Sequence, residues 1–135
     1  MSDGEEDLLR ATIRGISRTL IIWLVSQQPM SGYRIVKEMS RLTDRNVKSG
    51  TIYPLLYELE DKGLIRGSWV QKGRRRIKYY SITERGRMVL NRICKLFETP
   101  LREFLVDLLG EEPPTTEGGS VTYKPQTPDP TAPSQ

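Results

Sequence analysis

The chain has 135 residues, a formal net charge of +4, one cysteine and no histidine. That length suits one domain, or one domain with a tail. No intrachain disulfide, no Cys/His zinc cluster and no Ser-His or Cys-His nucleophile pair can be built from it, so no metal, no cofactor and no enzyme activity are expected.

Residues 1–7 are polar and acidic and are expected to be disordered. They lack the basic start and apolar run of a signal peptide. The longest apolar run, Leu20–Val25, is too short to span a bilayer, so a cytoplasmic protein without membrane contact is expected. Leu8 to Gln28 reads as a helix with Leu9, Ile13, Ile16, Leu20 and Leu24 on one stripe, weakened at Gly15. Pro29 stops it. Ser31 is placed to cap a second helix from Gly32 to about Leu42, with Ile35, Val36, Met39 and Leu42 inward. A polar connection follows, and Ser49 or Thr51 is expected to cap a third helix. Its buried side is Ile52, Leu55, Leu56 and Leu59. Pro54 fits only near the first turn, and Gly63 is placed as a C′ glycine.

Ile65–Gln71 and Ile77–Ile82 read as a hairpin with Gly73 in its turn. Thr83 then caps a long last helix reaching about Leu109, which Pro100 kinks or divides near Thr99. Cys94 is expected to be a small core residue of that helix. Residues 110–135 are rich in Pro, Thr, Ser and Gly and read as a disordered tail, free to recruit a further protein partner. The fold class is therefore mainly α with a small β-hairpin (α+β). It is a winged helix-turn-helix over residues 8–82 with a long C-terminal dimerisation helix over 83–109.

Residues 8–110 carry twenty Lys/Arg against nine Asp/Glu, an excess of eleven positive charges. Such an excess suits a polyanion, because neutralised phosphates release counterions. The wing concentrates it: Lys72, Arg74, Arg75, Arg76 and Lys78 crowd into seven residues. Alternation sends Arg74, Arg76 and Lys78 to one face and Arg75 to the other. The competing reading is a solvated turn. On the third helix, Lys48, Ser49, Gly50, Thr51, Tyr53 and Tyr57 lie at the front or away from the core, where hydroxyls reach phosphates or base edges. Against this, Tyr53 could pack under the wing and Thr51 could serve only as a cap. The second helix offers Tyr33, Arg34 and Lys37 beside its positive dipole end, or else an ordinary polar face.

The chain also resembles PadR-type winged-helix transcriptional regulators. The matching stretches are Gly15–Leu24, Ser31–Ile35, Ser49–Leu56, Leu59–Ile65 and Arg75–Gly86. The resemblance implies that Tyr33, Ser49, Thr51, Tyr53 and the wing cations contact double-stranded DNA. It further implies a homodimer on a palindromic operator, with the last helix packed on its counterpart and on the first helix. Leu9, Ile13, Leu90, Ile93, Phe97, Leu101, Phe104, Leu105 and Leu108 are the expected dimer interface. The over-wide apolar stripe from Leu90 to Leu108 points the same way. Relatives that bind planar aromatics between the long helices use a tryptophan there, whereas Trp23 and Trp69 lie elsewhere. The expected function is a dimeric transcriptional repressor. The alternatives are an architectural or DNA-partition protein that spreads along DNA, and a winged helix used only for protein–protein contact.

Overall fold

The computed structural model describes residues 3–110. The expected tail lies outside the described residues, apart from Gly110, which closes the last helix. The elements in order are α1 (Asp3–Gln27), β1 (Met30–Ser31), α2 (Gly32–Thr43), α3 (Ser49–Asp61), β2 (Ile65–Lys72), β3 (Arg75–Ile82), α4 (Glu84–Glu98) and α5 (Arg102–Leu109).

Helix α1 starts at Asp3, five residues before the sequence reading places it. Asp3, Glu5 and Glu6 put negative charge on its positive dipole end, and Glu6 pairs with Arg10 and Arg45. Gly15 does not break the helix. Only its second half is buried, at Ser17, Ile21, Ile22, Leu24 and Val25, whereas Leu9 and Ile16 are exposed. Ser31 caps α2 by accepting from the Arg34 N–H at 3.1 Å. Leu42 is exposed rather than inward: the core that α2 faces ends at Met39, and the chain turns away at Asp44, which takes a left-handed conformation (φ 51°).

Helix α3 departs from expectation at its front. Neither Ser49 nor Thr51 caps it. Lys48 holds the cap position without a side-chain hydrogen bond, and the first turn faces solvent. Pro54 lies inside the helix rather than in the first turn. The carbonyl it deprives of a partner is that of Gly50, and both residues are exposed, so water can satisfy that oxygen. The C-terminus is a Schellman motif: Gly63 N–H donates to Glu60 O and Leu64 N–H to Leu59 O, both at 3.0 Å, with Gly63 at φ +73°.

The sheet has three antiparallel strands in the order β1-β3-β2. The short β1 pairs Met30 with Tyr80 and Ser31 with Tyr79. The wing hairpin is closed by the two residues Gly73 and Arg74, because Lys72 pairs with Arg75. A positive φ at Gly73 alone fits a type II′ turn. Arg74 therefore sits in the turn and belongs to neither face. Ile21, Leu24, Ile35, Met39, Ile52, Leu56, Ile65 and Tyr80 form the core, sealed from α1, α2, α3 and the sheet together.

Thr83 caps α4, accepting from Gly86 N–H at 3.0 Å and donating to Gly63 O at 2.7 Å. The last helical stretch is divided around Pro100 into α4 and α5, as the proline requires. Gly86 alone in α4 is fully buried, and Leu90 is its contribution to the main core. Beyond Leu90 the helices extend past that core, which is why Cys94 is exposed instead of packed.

Candidate nucleic-acid interface

Helices α2 and α3 and the wing enclose a groove of about 920 Å³. Tyr33, Arg34 and Lys37 come from α2, Tyr53 and Tyr57 from α3, and Trp69, Arg75, Arg76 and Lys78 from the wing. Five cations line it and no carboxylate does. Two of the five are engaged from behind. Glu38 is only 7% exposed and holds Arg34 at 3.1 Å and Arg41 at 2.8 Å. Glu60 holds Lys78 at 3.0 Å. Among the described residues no ion pair engages Lys37, Arg75 or Arg76, so their charge is available to an anion.

The wing is fixed to α3 by the second carboxylate oxygen of Glu60, which accepts from the Gly67 N–H at 2.9 Å. A side chain at position 67 would displace this pair, since its Cβ would fall 2.2 Å from Lys78 Cε and 2.6 Å from Glu60 Oε2. Hydrogen bonding to Glu60 holds the Lys78 ammonium above the ordinary lysine range. Burial pushes the neighbouring Tyr80 phenol up. On the other side of α3, Arg18 of α1 pairs with Glu58, and that contact draws the Glu58 carboxyl below its usual value. The carboxylates of α3 thus link it to the wing on one side and to α1 on the other.

Residues 21–92 match the model of the transcriptional regulator PadR-like family. The chain belongs to that family. Members are transcription regulators, not enzymes, and this PadR-like chain is accordingly a DNA-binding regulator of transcription. Solved PadR-like structures share its fold. A regulator from Bacillus cereus strain ATCC 14579 is 25% identical with a TM-score of 0.65, covering 76% of this chain and 99% of its own. One from Eggerthella lenta DSM 2243 is 25% identical with a TM-score of 0.60, covering 82% and 100%. A transcriptional regulator from Clostridium thermocellum is 28% identical with a TM-score of 0.59, covering 70% and 94%. No curated protein matches the chain. Among the described residues no helix of this PadR-like protein is long and apolar enough to cross a membrane.

Around the groove of this regulator, Lys48, Ser49, Gly50 and Thr51 are all exposed at the front of α3. Tyr53 is half-buried, and its ring lies against Gly32, where an added Cβ would fall 2.6 Å from the Tyr53 hydroxyl. Tyr53 therefore has a packing role as well as a place in the groove. Tyr33 and Tyr57 are exposed. Lys72 lies on the opposite wing face, 5.4 Å from the Tyr79 ring, and Arg75 shares that face by alternation. Arg76 and Lys78 share the other face, both near Trp69. Trp69 was not among the candidate site residues. Its signal lay in the strand register, which pairs it with Lys78.

Proposed function

We propose that the protein is a homodimeric transcriptional repressor that reads a palindromic operator in double-stranded DNA in the cytoplasm. The observation that carries this reading is that the front of α3 is exposed and that, among the described residues, no ion pair engages the wing arginines Arg74, Arg75 and Arg76. Ser49, Gly50 and Thr51 present small and hydroxylated groups to the major groove, while Lys37, Lys48, Arg74, Arg75 and Arg76 meet the phosphates on either side. The dimer is supported by apolar side chains that one chain leaves uncovered. Leu8, Leu9 and Ile16 of α1, Met88 and Leu96 of α4, and Phe104, Leu108 and Leu109 of α5 are all exposed. A soluble monomer rarely tolerates such surface, and a two-fold partner buries the same residues from both sides. Footprinting on the DNA flanking its own gene tests the proposal. One bounded, two-fold symmetric footprint is the expected result. A footprint that extends with protein concentration would instead mark a DNA-coating protein.

A further inference from the structure

Three large aromatic rings stand exposed in the groove. Tyr33 is 67% exposed, Tyr57 55% and Trp69 58%, all within one concave lining. Single exposed apolar residues are ordinary, but three large rings converging on one groove form a patch. A duplex offers base edges and phosphates to such a surface, and its base faces stay inside the stack. The ring faces have no counterpart there.

The positions of the cations suit a different polyanion. Arg76 lies 5.2 Å from the Trp69 centroid, and Lys37 lies 4.9 Å from that of Tyr33. Lys78 is 5.7 Å from the Tyr57 ring and 5.9 Å from the Trp69 ring, so these two exposed rings border one ammonium. Each of these rings therefore has a cation over its face, and a stacking base takes the face that the cation leaves open. Sites for unpaired strands combine these two elements: rings on which bases stack, and cations that follow the backbone.

We infer that this groove also binds single-stranded nucleic acid, with unpaired bases stacked on Trp69 and Tyr57 and backbone phosphates on Lys37 and Arg76. The cations are shared with duplex binding. Trp69 is not, because its face contributes only when a base is unstacked. The inference therefore stands whether or not the operator is palindromic or the regulator a repressor.

The test uses the full chain and a labelled oligothymidine of about twelve nucleotides, within the site size of small single-strand modules. A mixed-sequence duplex is measured in parallel. Trp69→Ala is expected to weaken oligothymidine binding by about five- to a hundred-and-fiftyfold, the range that follows from one lost stacking contact, and to weaken duplex binding much less. Trp69→Phe restores most of the loss, and Tyr57→Ala weakens the single strand further. Because Trp69 is exposed, these variants keep the fold, which circular dichroism verifies. Absence of oligothymidine binding at a salt concentration where duplex is bound would overturn the inference. So would equal loss of both nucleic acids in Trp69→Ala. Thymidine monophosphate competing as well per nucleotide as the oligomer would reassign the groove to a small molecule and overturn it too.

Discussion

The Lys78 ammonium stands 3.0 Å from a Glu60 carboxylate oxygen, so an ion pair joins the second wing strand to α3. The other oxygen of the same carboxylate binds the first wing strand at Gly67 N–H. One acidic side chain thereby sets where the wing cations lie relative to the front of α3.

Glu60→Gln keeps an acceptor for Gly67 and removes the charge. The pair is 23% and 32% exposed, so solvent screens it and the expected loss of stability is on the order of 1 kcal/mol. The sign with pH follows from Lys78. Its pKa is raised in the folded protein, so its contribution is fully present below the unfolded lysine value of about 10.4 and is lost as pH rises through the folded value. Urea denaturation should show a constant gap between wild type and Glu60→Gln from neutral to moderately alkaline pH, closing only at higher pH. A gap already closed at mildly alkaline pH would remove Lys78 from the account.

Two glycines should respond in opposite ways. At Gly86 an added Cβ would fall 2.1 Å from the Leu64 carbonyl oxygen, a backbone atom that cannot swing aside. Gly86→Ala is expected to destabilise the protein by about 1–3 kcal/mol despite the better helix propensity of alanine. At Gly50 an added Cβ meets nothing within 4 Å. Gly50→Ala should leave stability unchanged or raise it by up to about 1 kcal/mol. It should also weaken DNA binding, by holding the start of α3 off the groove floor. Denaturant midpoints and DNA titrations on both variants check this, and a Gly50→Ala protein with full DNA affinity would contradict it.

Local chemistry made much of this fold legible in the sequence. Ser31 and Thr83 as caps, Gly63 as a helix stop and Gly73 as a hairpin turn each depend on a few adjacent residues, and the structure has all four. Features that depend on distant residues were not legible. Strand β1 is two residues long and exists because Tyr79 and Tyr80 arrive beside it. The burial of Glu38 between Arg34 and Arg41 and the capture of Lys78 by Glu60 turn nominally free cations into structural ones. In the sequence, Lys78 is indistinguishable from Arg76. The exposure of Cys94 likewise reflects helices that outrun the core of one chain.

With Arg74, Arg75 and Arg76 on phosphates, as proposed, the wing should supply affinity more than sequence preference. Changing all three to Ala is expected to weaken operator and random DNA alike. The slope of log affinity against log salt should flatten by about 0.9 per lost contact at each half-site. Loss confined to the operator, with random binding intact, would move these arginines to the bases.

The last prediction concerns the surface that one chain leaves bare. Phe104 and Leu108 of α5 are 58% and 66% exposed and touch no part of the main core. Phe97, Leu101 and Leu105 are half-buried in the same stretch, where a partner chain would complete their cover. A charge placed there should break association and leave the winged helix folded, because the core residues are untouched. Phe104→Asp is expected to sediment as a monomer at concentrations where wild type is a dimer, a loss of at least about 2 kcal/mol for a buried aromatic anchor. Operator binding should fall much further than binding to random DNA. Each winged helix still meets phosphates, but two half-sites are no longer held by one tethered pair. A Phe104→Asp protein that remains dimeric would place the interface elsewhere, and a wild-type chain that sediments as a monomer would end the two-fold reading altogether.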